Sequence, residues 1–86
     1  MSENARSDAV GLLDLIGLKC PLPVLRTRKA LGDMTVGNVL EVVADDPMCV
    51  IDIPHLLSAT GDTLLELHRE AGRARFLIRR GAASAE

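Results

Sequence analysis

D-L-I-G-L-K-C-P-L-P-V-L-R-T-R-K-A-L, residues 14–31, is the stretch that decides how the rest of the chain folds. An apolar run enters Gly17, passes Lys19 and Cys20, and meets Pro21-Leu22-Pro23 ahead of a basic, helix-forming segment. Proline suits the first turn of a helix, because its missing N–H would have no partner there and its φ is already helical. The pattern reads as strand, corner, helix, with Pro21 opening the helix, Cys20 as its N-cap and Pro23 still inside the first turn. Leu22 N–H is then the expected donor to the Cys20 sulfur. The helix N-terminus and Lys19 both bring positive charge to that sulfur, which favours thiolate over thiol. Cysteines so placed have pKa values lowered from about 8.5 to roughly 3.5–7.5, which makes Cys20 the candidate nucleophile. A free cysteine is often only a small buried apolar residue. Two rigid prolines and a lysine at a corner argue for exposure instead.

Working outward, Leu12 to Ile16 reads as the first strand and Pro21 to about Leu31 as the first helix. At the helical repeat Val24, Leu25, Thr27 and Leu31 bracket the core side, while Leu22, Arg26 and Lys29 cluster opposite. Arg28 falls inside the apolar arc, where it is expected to snorkel or to pair with Asp14. Val39 to Ala44 is β-branched and apolar, a buried parallel strand. Asp46-Pro47 is a second helix start, with Asp46 as N-cap. That helix is expected to run to about Ala59 with Cys49, Val50, Ile53, Leu56 and Leu57 on one face, kinked at Pro54. Thr63 to Glu70 and Arg73 to Arg80 read as a hairpin closed by Ala71-Gly72. In its second strand Phe76 and Ile78 point one way and Arg75, Leu77 and Arg79 the other.

The order is β-α-β-α-β-β, an α/β two-layer sandwich. Right-handed crossovers make the first three strands parallel and put both helices on one face. Cys20 and the start of the second helix then share the sheet edge where open α/β sheets bind ligands.

With 86 residues, 48% hydrophobic and 26% charged, the chain suits one small globular domain. No apolar run is long enough to span a bilayer. Residues 1–10 read as a flexible leader without a signal-peptide core and 81–86 as a flexible tail, so the expected location is the cytoplasm. Net charge is −2 but unevenly spread. Lys19, Arg26, Arg28 and Lys29 form one basic group and Arg73, Arg75, Arg79 and Arg80 another, with seven acids and no Lys or Arg between Ala30 and Leu67. These are solvated faces, or patches for an acidic partner or RNA.

D-x-x-G-x-x-C-P-x-P (Asp14, Gly17, Cys20, Pro21, Pro23) resembles the TusA/SirA-like sulfur carrier proteins. The resemblance continues in D-D-P (Asp45 to Pro47), D-I-P (Asp52 to Pro54) and R-F-L-I-R (Arg75 to Arg79), and covers roughly residues 11–80 as a single domain. It implies a four-stranded mixed sheet of order 1-2-4-3 with the fourth strand antiparallel. It also implies that Cys20, supported by Lys19, Pro21, Leu22 and Pro23, accepts sulfane sulfur as a persulfide. A cysteine desulfurase or rhodanese-like protein would be the donor and a further protein the acceptor, for example on the way to 2-thiouridine in tRNA. The chain would then be a sulfurtransferase-type carrier rather than a stand-alone enzyme, needing no cofactor or metal and acting as a monomer. Partners would dock on Leu22, Arg26 and Lys29 beside the sulfur.

Cys49 reads as a buried, inert thiol, or as a resolving partner for Cys20 if the two helix starts meet. His55 and His68 lack metal-ligand spacing with either cysteine. Asp45 and Asp46 read as strand end and helix cap, and would oppose thiolate formation if close to Cys20. The rival reading is an RNA- or protein-binding module of the same architecture. The near absence of aromatics, Phe76 alone, speaks against base stacking, and direct nucleic-acid binding is not expected.

Overall fold

The computed structural model describes residues 9–81. The elements are β1 (Ala9–Leu15), α1 (Leu22–Gly32), β2 (Val39–Ala44), α2 (Cys49–Thr60), β3 (Thr63–Glu70) and β4 (Arg73–Arg79). The sheet order is β1-β2-β4-β3, with β1 parallel to β2 and β4 antiparallel to both its neighbours. The β3–β4 turn puts Ala71 at φ 54° and Gly72 at φ 79°. Positive φ at both central residues is the turn whose twist matches a tight hairpin, and glycine meets it without strain.

One face of the sheet carries Leu15, Val42, Phe76 and Ile78, and the core joins them to Leu31 of α1 and to Cys49, Ile53 and Leu57 of α2. Both helices therefore lie on that face. Leu77, on the other face by strand alternation, is nevertheless only 1% exposed. Its register neighbours are Glu41 and Glu66. Close by, Arg75 Nε lies 2.7 Å from Glu41 Oε2, an ion pair by distance without an aligned N–H. At the sheet end away from Cys20, Asp62 is buried and accepts from Thr60 Oγ1 (2.6 Å), Gly81 N–H (2.6 Å) and Arg80 (3.3 Å).

Several expectations need correction. β1 starts at Ala9, not Leu12, because Ala9 pairs with Val39 ahead of a register shift between Ala9 and Gly11. Residues 9 and 10 thus belong to the sheet and Gly81, expected in the tail, is held by Asp62, while residues 1–8 and 82–86 lie outside the described residues. In α1 the buried line is Pro23, Thr27 and Leu31, one residue in four, which turns Leu25 outward at 51% exposure. Arg28 is exposed too, and Asp14 Oδ1 accepts from Ile16 N–H (3.0 Å) rather than pairing with it. α2 begins at Cys49, later than Pro47: Asp46 Oδ1 accepts from Met48 N–H (3.0 Å) in a preceding turn. β4 ends at Arg79, one residue early.

Candidate functional site

Cys20 is exposed at the C-terminal edge of the parallel pair, in the corner between β1 and α1. The corner is fastened to the β2–α2 turn by two consecutive aspartates. Asp45 Oδ1 accepts from Gly17 N–H at 2.9 Å, and Gly17 sits at φ 91°, a conformation that favours glycine. Asp46 is nearly buried and divides its oxygens, one taking Cys20 N–H at 2.6 Å and the other Met48 N–H. The Met48 hydrogen bond, then the Cys20 hydrogen bond and finally the Lys19 charge hold the Asp46 carboxyl below its usual range, against some desolvation. From α2, Asp52 Oδ2 accepts the Cys20 thiol at 3.5 Å.

This changes the expected chemistry of the cysteine. Pro21, not Cys20, holds the N-cap position, and Leu22 N–H donates to the Lys19 carbonyl at 2.9 Å instead of to the sulfur. The Cys20–Pro21 peptide is cis. The Cys20 pKa is raised, not lowered: loss of solvent around the sulfur comes first, then the Asp52 hydrogen bond and charge, then the Asp46 charge. These effects all favour the thiol over the thiolate. Lys19 is felt at Asp46, as the last of the effects there. Cys49 is 2% exposed, and desolvation followed by the charges of Asp46 and Asp52 pushes it up to about 11. Burial in the core favours its inert reading.

The remaining expected residues are spread along α1, from Leu22 and Pro23 at its start to Lys29 in its last turn. Pro23 is buried, Leu22 is 41% exposed, and Arg26 and Lys29 lie exposed on α1, Lys29 weakly paired with Asp33 at 3.7 Å. Sequence reasoning did not single out Met48, at the N-cap of α2, or Ile51, just before Asp52, which are 45% and 61% exposed. The signal was present as two apolar residues off the Cys49–Ile53–Leu57 line. His55 and His68 are both exposed. A groove of about 440 Å³ runs between Asp45–Pro47 and the β3–β4 turn, edged by Arg69 and Arg73, but Cys20 does not line it. The sulfur sits on open surface.

Residues 12–80 match the family model described as Sulfurtransferase TusA. The chain belongs to the TusA family. A TusA relative, the sulfur carrier protein TusA of Allochromatium vinosum, is 46% identical over 68 residues, spanning 79% of this chain and 90% of that protein. A putative sulfur carrier protein of Archaeoglobus fulgidus is 44% identical over 68 residues, 78% of this chain and 88% of its own. Among solved structures, a SirA-like protein from Desulfitobacterium hafniense superposes with a TM-score of 0.74 at 25% identity, covering 85% of this chain and all of that one. The TusA match spans the Cys20 corner.

Proposed function

We propose that this TusA-family chain is a sulfur carrier whose working atom is the Cys20 sulfur. The observation that carries the reading is that corner: an exposed thiol, fastened by Asp45 and Asp46 at the helix-bearing edge, inside the segment shared with named sulfur carriers. Cys20 takes sulfane sulfur as a persulfide from a cysteine desulfurase or rhodanese-like donor and passes it to an acceptor protein. Cys20 lies outside the groove beside the β2–α2 turn and its thiol meets the Asp52 carboxylate, and we read it as the sulfur of a carrier rather than the centre of a stand-alone enzyme. No helix among the described residues is long and apolar enough to cross a membrane. The cytoplasm is the proposed location.

Donor and acceptor must both reach one sulfur, so they share one docking surface. Leu22, Met48 and Ile51 supply its apolar part, and Arg26 and Lys29 its charged rim. Rim charges act on encounter rate and are screened over about 8 Å at physiological salt, whereas apolar anchors are not. Reversing both cations (Arg26→Glu with Lys29→Glu) is expected to slow transfer from a loaded desulfurase about tenfold at low salt, with the defect fading as salt rises. Leu22→Ala weakens transfer with little salt dependence. Arg79→Glu is the control, because Arg75 is engaged with Glu41. Transfer slowed by Arg79→Glu but not by the α1 reversal would move the docking surface to the open sheet.

A further inference from the structure

The free carrier holds its nucleophile in the wrong form for attack. A persulfide's terminal sulfur is attacked by a thiolate, yet every charged side chain shown to act on the Cys20 sulfur is an anion. The groups around it come from three elements. Lys19 precedes it in the corner, Asp46 reaches it from the β2–α2 turn, and Asp52 and the buried Cys49 face it from α2. Lys19 acts on Asp46. Asp46 has both oxygens committed to backbone N–H groups. Asp52 differs: it is half-exposed, it holds only the long thiol contact at 3.5 Å, and among the described residues no cation lies within ion-pair distance of it. Among the side chains shown to act on this sulfur none is a cation, and Cys20 is exposed, so a cation can reach it from outside.

We propose that Asp52 gates sulfur transfer: its carboxylate keeps the Cys20 thiol protonated in the free carrier, and a cationic side chain of the docked partner pairs with Asp52 and releases the nucleophile. This rests on the sulfur-carrier reading of Cys20. An arginine or lysine that pairs with Asp52 takes over its hydrogen bonding, cancels its charge and stands beside the sulfur as a cation. One contact thereby turns a wall that disfavours thiolate into one that favours it. The exchange then balances without a cofactor. Cys20 Sγ gives up its proton and bonds to the terminal sulfur of the donor persulfide. The donor's S–S bond breaks, and its cysteine leaves as a thiol bearing that proton, so sulfane sulfur moves with no net oxidation. Asp52 is a positioning residue for this step, and its charge guards the empty carrier against small electrophiles between partners.

The test compares small reagents with a protein donor in wild type and Asp52→Asn, a change of charge with little change of shape at a half-exposed site. Iodoacetamide alkylation of Cys20 is followed against pH by peptide mass. A cationic and an anionic methanethiosulfonate are compared at low salt, and sulfur uptake is measured from a cysteine desulfurase supplied with cysteine. Asp52→Asn is expected to alkylate several-fold faster at neutral pH, with its profile moved to lower pH, and to lose most of the wild-type preference for the cationic reagent. It is expected to take sulfur from the desulfurase more slowly. Opposite signs in the two arms mark a gate, since a merely structural role moves both the same way. Alkylation profiles that overlay, or desulfurase transfer that speeds up together with alkylation, would overturn the proposal. A wild-type protein that takes no sulfur would sink the carrier reading instead, while the alkylation arms still report what Asp52 does to the thiol.

Discussion

Thr27 offers a prediction whose magnitude follows from one buried atom. It sits on the inner line of α1, is 0% exposed, and its Oγ1 has no hydrogen-bond partner among the described residues. An unpaired hydroxyl taken out of water costs about 1–3 kcal/mol. Thr27→Val replaces that hydroxyl with a methyl group of nearly the same shape. Both residues are β-branched, so their helix costs nearly cancel. At the low end the variant gains about 1 kcal/mol, a sizeable share of the ~5–15 kcal/mol that holds a domain together. In a domain of this size that raises the melting temperature by about 4–8 °C. Phe76 is the only aromatic residue, so the melt is best read by far-UV circular dichroism or calorimetry. Thr27→Ser keeps the hydroxyl, loses the methyl and should melt lower than wild type. A fall in melting temperature for Thr27→Val would refute the reasoning, because it would mean that the hydroxyl has a partner, with the Pro23 carbonyl one turn back the first suspect.

Asp46 should show in the acid limb of stability. Its folded pKa lies below its unfolded value, so its contribution is present above the ordinary carboxylate pKa of about 3.9 and is lost as pH falls through the folded one. Wild type should therefore outlast Asp46→Asn in urea at pH 6, with the gap closing as pH drops below about 4; a constant gap would show that the carboxylate charge is not what matters. Ala71 spends roughly 1–2 kcal/mol on its positive φ in the hairpin turn, and asparagine tolerates that conformation. Ala71→Asn should raise the urea midpoint by the equivalent of about 0.5–1 kcal/mol with an unchanged slope. A lower midpoint would mean that the turn is not of this type.

Element order was readable because local signals agreed: prolines at a helix start, a β-branched run from Val39, and a small two-residue turn at Ala71-Gly72; the sheet order 1-2-4-3 rested on the family resemblance. The exposed position of Cys20 and the burial of Cys49 followed from the same signals. The protonation state of Cys20 did not. It depends on Asp46 and Asp52, which are 26 and 32 residues away and meet the corner only once β1 and β2 pair. Periodicity shows which face a carboxylate occupies, not which atom its oxygens touch. Helix phase failed at Leu25 and Arg28 for a related reason. An 11-residue helix that buries one residue in four leaves a narrow stripe, and the buried Pro23 rather than Val24 sets its centre. The early start of β1 was hidden because alanine and glycine carry little strand signal.

The central claim is that Cys20 carries the sulfur, and intact-mass measurement after incubation with a cysteine desulfurase and cysteine tests it most directly. Wild type and Cys49→Ser should each gain the mass of one sulfur atom, removable by reductant, while Cys20→Ser gains none. Sulfur retained by Cys20→Ser and lost in Cys49→Ser would contradict the account.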